Sequence, residues 1–225
     1  METGLIVDVE TTGLEPSCDK IIEIGIIEFG LMEGYKPVFL SSYSELEDPQ
    51  QKLDDKIVTL TGINDEMLKG RKIDWIAVSK LFSSAAIIIA HNMDFDKAFL
   101  MRRKELAQLK NHWACSMKHI DWIKHGFKSA SLTYLAADHG FINPFSHRAL
   151  FDCATTFRLI SSHLKELTDC SFEKEIKILA KKAPFEMKDK LKENGYRWDT
   201  KNKIWYKISF EKKLLEERKF LEKNI

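Results

Sequence analysis

The chain has 225 residues, 44% hydrophobic and 31% charged, with a net charge of +1, enough for one sizeable α/β domain with a packed core and a small appendage. Its longest unbroken apolar run, Ala85 to Ala90, is far too short to cross a membrane, and its first residues form no leader, so a soluble cytoplasmic protein with no membrane partner is expected. The four cysteines (Cys18, Cys115, Cys153, Cys170) lack C-x-x-C spacing, which argues against a cysteine-based zinc site or a disulfide framework.

In chain order, Leu5 to Val9 reads as a strand buried on both faces, where an ionised carboxylate is costly unless something compensates it. Asp8 and Glu10 sit two apart in this run and so point to the same side. A shared divalent cation would satisfy both; backbone amides or a nearby lysine are the alternative. A turn with Gly13, Pro16 and Ser17 leads into a second strand, Ile21 to Phe29, whose mid-strand Gly25 suggests a close backbone approach. Pro37 to Tyr43 gives a third strand of a meander.

Beyond Pro49 and a turn at Thr61–Asp65, the residues Trp75, Val78, Leu81 and Phe82 recur at helical spacing. A short strand, Ala86 to Ala90, then feeds His91 and Asn92 and a long helical pattern carrying Phe95, Phe99, Leu100 and Leu106. Asp94 and Asp96 lie about 200° apart on that helix, so one of them faces solvent. Further helices are expected at Leu132 to Asp138, ending at Gly140, and at Leu150 to Leu167. His147 lies five residues before Asp152, about 140° away on a helix. It is therefore expected on the preceding loop, among the turn formers Asn143, Pro144 and Ser146. Strands followed by alternating helix and strand predict an α/β fold with a mixed sheet flanked by helices.

The charge is uneven. Residues 1–171 carry 19 Lys+Arg against 24 Asp+Glu, and residues 172–225 carry 16 against 10. A boundary near Thr168 to Phe172 would separate a domain at 1–170 from a small basic α+β module at 171–225. In that module a helix over Lys188–Glu193, a hairpin about Asp199–Lys203 and a helix from Glu211 are predicted. Arg197, Trp198, Lys203 and Trp205 on the hairpin are candidate contacts to nucleic acid, by stacking on bases and pairing with phosphate. Alternatively, the two tryptophans are the core of a tiny domain.

Three segments, "DVETTG" (Asp8–Gly13), "HNMDFD" (His91–Asp96) and "HRALFD" (His147–Asp152), stand in the order and spacing of the three motifs of DEDDh-type 3′-to-5′ exonucleases. "LTGINDEML" (Leu60–Leu68) resembles the segment these proteins carry between the first two motifs, so the resemblance covers roughly residues 4–167. It implies a ribonuclease H-like fold with a mixed five-stranded sheet. It also implies that Asp8, Glu10, Asp96 and Asp152 are the metal-binding acids and His147 the catalytic histidine, selecting Asp96 over Asp94 because the acid follows the aromatic Phe95. The cofactor implied is two Mg²⁺ or Mn²⁺ ions, hard cations that take carboxylate oxygens. Asp8 would bridge the two ions, with Glu10 and Asp152 on the nucleophile side and Asp96 on the other.

His147 would take the proton of the attacking water. Thr11, Thr12, Gly13 and Leu14 would form the turn beneath the terminal nucleotide, with Gly13 giving it room, Leu14 wedging against its base and Asn92 nearby. The expected activity releases nucleoside 5′-monophosphates from a 3′ end, with single-stranded DNA favoured over RNA of the RNase T or oligoribonuclease kind. A non-catalytic 3′-end binding module is the remaining alternative. Relatives leave a polymerase partner or a homodimer open.

Overall fold

The computed structural model describes residues 2–31 and 36–224. Three strands, β1 (Glu2–Thr11), β2 (Ile21–Leu31) and β3 (Val38–Leu46), form an antiparallel meander, and β4 (Ile87–Ala90) and β5 (Trp113–Cys115) extend it in parallel. The sheet order is β3-β2-β1-β4-β5. The alternation of β1 divides the core between two faces. Leu5, Val7 and Val9 pack with Trp75, Val78 and Phe82 of α3 (Trp75–Ser84) and with Phe99 and Leu100 of α4 (Met93–Leu100). Ile6 packs on the other face with Cys153, Leu159 and Ile160, so this sheet is covered on both sides.

The covering helix on the Ile6 face is α7 (Ala149–Ile160), which lies directly over β2 at Gly25. A Cβ at Gly25 would stand 2.4 Å from both the Ala149 carbonyl carbon and the Leu150 nitrogen, so no larger residue fits without displacing the helix backbone. The close approach expected from the mid-strand glycine is thus found. Cys153 Sγ also donates to the Gly25 carbonyl at 3.2 Å.

Two helical expectations need correction. The long helix through Leu106 ends at Leu100; Leu106 is buried in the same core but reaches it from a run of turns. In those turns Arg103 stacks 4.2 Å over Trp75 and pairs with Glu47, holding the chain off the helical path. The single helix over Leu150–Leu167 is broken into α7 and α8 (Leu164–Ser171). Ser161 Oγ donates back to the Phe157 carbonyl at 2.6 Å, the competing bond that bends helices at serine, and the next helix starts afresh with His163 at its N-cap position. Three more helices, α1 (Asp55–Thr61), α2 (Asp65–Leu68) and α5 (Ser116–His119), leave no periodic signal in the sequence because they are only one or two turns long. A further helix, α6 (Leu132–Asp138), is where it was predicted.

A second, three-stranded sheet follows α8: β6 (Glu175–Ala180), β7 (Arg197–Asp199) and β8 (Ile204–Phe210), in the order β6-β8-β7. With α9 (Lys188–Glu193) and α10 (Leu214–Asn224) it encloses a small core of Ile178, Ala180, Leu191 and Tyr196. The hairpin and both helices match expectation, with one 3₁₀ turn over Glu211–Lys213 before α10; β6 was not foreseen. Among the described residues no helix is long and apolar enough to cross a membrane.

Candidate active site

The site begins with the register of β1 and β2. Asp8 stands opposite Gly25, and Glu10 opposite Glu23, on the face beneath α7. Asp96 enters from the first turn of α4 and is 2% exposed; its Oδ1 accepts the Val9 N–H at 3.1 Å, which ties the helix to the strand between the two other acids. Asp94, two residues away, is exposed and pairs with Lys118, as the helical geometry requires. Asp152, in the first turn of α7, has both oxygens held: Oδ1 accepts from Asn143 Nδ2 at 2.6 Å and Oδ2 from the His147 backbone N–H at 3.0 Å.

His147 is exposed on the loop before α7 with φ +62°, a left-handed conformation that costs a bulky residue on the order of 1–3 kcal/mol. The Asp152 bond to its amide holds that conformation. Ligand atoms of Glu10, His147 and Asp152 all lie within 4.8 Å of one another.

Electrostatically the cluster is short of positive charge. Burial pushes Asp8 well above the usual carboxylate range, and the charges of Asp96, Glu10, Asp152 and Glu23 push it further. Glu10 is raised to about 8 by burial and by Asp152, Glu23 and Asp96. Burial raises Asp96 to about 7, opposed by the Val9 bond, and Asp152 to about 6, opposed by the His147 amide. Arg148 lowers Glu10 by its charge, but its hydrogen bonds go elsewhere: its Nε and Nη2 donate to the 2% exposed Glu23, whose Oε2 also accepts the Ala149 N–H at 2.9 Å. This clamp joins the start of α7 to β2 and so sets where His147 and Asp152 stand. Glu23, Arg148 and Asn143 had been given no function from sequence. Glu23 was detectable, because it breaks an apolar strand just as Asp8 does.

The turn after β1 is held by its own side chains. Thr11 Oγ1 donates to the Gly13 carbonyl at 2.5 Å, and Thr12 Oγ1 bonds Asp19 Oδ1 at 3.0 Å. A Cβ on Gly13 would lie 2.4 Å from the Asp19 carboxylate, so the glycine makes room for Asp19 in this structure. Leu14 projects from the turn, 84% exposed. Asn92 is the N-cap residue of α4, exposed and with its side chain unused in capping.

The candidate residues Arg197, Trp198, Lys203 and Trp205 are brought together on the hairpin of the second sheet. Trp198 is 46% exposed with its ring 5.5 Å from Trp205, and Trp205 packs partly on the small core. Arg197 and Lys203 are exposed.

Fold and site together define a ribonuclease H-like α/β domain with a four-acid cluster at the carboxyl end of its first strand. The chain belongs to the exonuclease family, whose model, described as Exonuclease (RNase_T), matches residues 5–160, in agreement with the three-motif resemblance. It is 31% identical over 167 residues to the DNA polymerase III PolC-type of Pediococcus pentosaceus, covering 72% of this chain and 11% of that protein. The Bacillus subtilis protein of the same name is 28% identical over 174 residues, 75% and 12% of the two chains. The chain therefore spans only a small part of these relatives.

Among solved structures, exonuclease X in complex with 5′ overhanging duplex DNA superimposes with a TM-score of 0.55 at 21% identity, over 75% of this chain and 99% of that one. Escherichia coli exonuclease I in complex with a dT13 oligonucleotide gives 0.60 at 18% identity, over 75% and 43%. At these identities the likeness concerns the fold.

Proposed function

We propose that the protein is a DEDDh-type 3′-to-5′ exonuclease that removes nucleoside 5′-monophosphates from the 3′ end of nucleic acid, with single-stranded DNA as the favoured substrate. The observation that carries this reading is the charge imbalance: four acids raised by burial and mutual repulsion, with Arg148 committed to Glu23. An all-oxygen, net negative cluster suits hard divalent cations. Asp8, Glu10, Asp96 and Asp152 would hold two Mg²⁺ or Mn²⁺ ions, which supply charge stabilisation at phosphorus and at the leaving oxygen and acidify the attacking water.

The protein's own part is positioning and proton transfer. His147 accepts the water's proton on its ring, and the Asp152 bond to its amide keeps the ring beside Glu10. The departing 3′ oxygen of the shortened strand takes up a proton as the 5′-monophosphate leaves. Leu14 packs against the terminal base, Thr11, Thr12 and Gly13 support it, and the free side chain of Asn92 contacts the strand. The likeness to PolC-type DNA polymerases and to neighbours solved with DNA bound favours DNA. The division at residue 170 and a nucleic-acid contact through Arg197, Trp198, Lys203 and Trp205 belong to the same reading.

The test is incubation of the purified protein and Mg²⁺ or Mn²⁺ with 5′-labelled single-stranded DNA, RNA and duplex oligonucleotides, beside Asp8→Ala and His147→Ala. Stepwise shortening from the 3′ end of DNA, absent in both variants, is expected. Shortening of RNA alone would move the substrate to RNA; intact oligonucleotides throughout would overturn the enzymatic reading.

A further inference from the structure

We propose that His125, His163 and Glu166 form a second metal site, for Zn²⁺, on the opposite side of the chain's chemistry from the acid cluster in both ligand type and purpose. Their ligand atoms all lie within 4.8 Å of one another. His125 Nε2 is 2.7 Å and His163 Nδ1 3.9 Å from the same oxygen, Glu166 Oε2. The other oxygen, Oε1, accepts the Asp121 N–H at 2.9 Å, which orients the carboxylate and leaves Oε2 toward the two imidazoles. The rings of His125 and His163 are 4.4 Å apart at their centroids, a close approach of two like groups that a shared cation would reward.

Two imidazoles and one monodentate carboxylate suit a borderline ion such as Zn²⁺, with water completing a tetrahedron, whereas the all-oxygen cluster suits Mg²⁺. The surroundings give the site a purpose. His163 occupies the N-cap position of α8 with its side chain not used in capping, and His125 ends the turn that begins at Asp121 and Trp122; Trp122 packs edge-on against His163 with ring centroids 5.1 Å apart. Asp121 in turn binds Lys213, the residue just before α10. An ion here pins the 121–125 turn to α8 at the point where residues of the second sheet's flank are anchored. Its function is structural, and it stands independently of the nuclease reading.

Zinc could also enter among Glu10, His147 and Asp152, so the experiment uses the full chain carrying Asp152→Ala. Zn²⁺ is titrated against a chromophoric chelator, and Co²⁺ is added separately to record the visible absorption of a tetrahedral site. The expected result is one equivalent of Zn²⁺ and a tetrahedral Co²⁺ spectrum. His125→Ala, His163→Ala and Glu166→Gln, each added to that background, should weaken zinc binding by on the order of 100-fold and abolish the Co²⁺ bands, since even outer groups are worth 10- to 100-fold. His125 is exposed, so its variant should fold normally as judged by circular dichroism. Absence of zinc binding in the Asp152→Ala protein, or binding unchanged in the folded His125→Ala variant, would overturn the site.

Discussion

Two buried carboxylate settings in this molecule are built on opposite plans. On α10, packed against the second sheet, Glu217 is 6% exposed and fully answered: Tyr196 donates its hydroxyl at 3.0 Å, Asn194 its amide at 3.3 Å, and Lys207 its ammonium to the other oxygen. In the first sheet, Asp8 and Glu10 have no hydrogen-bonding side chain among the described residues, and their neighbours Asp96, Asp152 and Glu23 repel them. The contrast separates an acid whose charge the fold itself answers from a cluster whose repulsion the fold leaves largely standing, as the proposed metal site requires. A structural carboxylate brings its donors with it, because leaving it unpaired costs more than the pair returns.

The largest effect that could break this comparison is at Asp8. Asp8→Asn should lower nuclease activity by on the order of 10³-fold or more, as expected for a group holding catalytic ions. In chelator the same variant should unfold at a higher denaturant concentration than wild type, because it removes a carboxyl that is freely ionised in the unfolded chain but whose charged form burial and neighbouring acids disfavour in the native state. A lower unfolding midpoint would mean that Asp8 is satisfied by something fixed in the protein. Glu217→Ala should act in the reverse sense, leaving catalysis by the acid cluster intact while costing about 3 kcal/mol in urea unfolding, since Lys207 and Tyr196 lose their shared partner.

The pH dependence sharpens the contrast further. Glu10 and Asp96 hold protons in the metal-free native state up to about 8 and 7, whereas unfolded carboxyls release them near 4. The native state thus binds more protons than the unfolded state, and stability in chelator falls as pH rises. The contribution is fully present below the unfolded values and gone above about pH 8. His91 and His119, held down to about 4 by burial, act oppositely below their ordinary values, so pH 6.5–8 isolates the acids. There each extra native proton changes stability by about 1.4 kcal/mol per pH unit. Saturating Mg²⁺ should remove the slope; a metal-free stability that is flat or rising between pH 6.5 and 8 would contradict the charge imbalance.

The smallest effect expected is at the hairpin. Arg197→Gln with Lys203→Gln should weaken single-stranded DNA binding a few-fold. It should also reduce the slope of log affinity against log salt by about 1.4, for two lost phosphate contacts. Unchanged slope in fluorescence anisotropy would leave the second sheet without a part in binding substrate.

How much of this was legible differs element by element. The meander, the close approach at Gly25 and the hairpin of the second sheet were read from local pattern, since each depends on residues a few positions apart. Helical rotation required that only one of Asp94 and Asp96 face the site, and the turn formers before α7 placed His147 on a loop. The split of α7 from α8 was missed because apolar spacing continues through Ser161–His163 while the serine hydroxyl competes for the backbone. β6 was missed in a lysine-rich stretch whose alternation is weak and whose partner, β8, comes only after α9 and β7.

By itself, the amino-acid sequence determined which acids and which histidine carry the family's pattern, because motif spacing and strand or helix periodicity are local properties. Only the tertiary structure decided that the hydrogen bonds of Arg148 would go to Glu23, 125 residues away, so that its charge only partly offsets the repulsion at Glu10. It likewise brought His125 against His163 and Glu166, and gave Glu217 its donors. Charge compensation is a sum over everything nearby in space, and that sum exists only once the chain has folded.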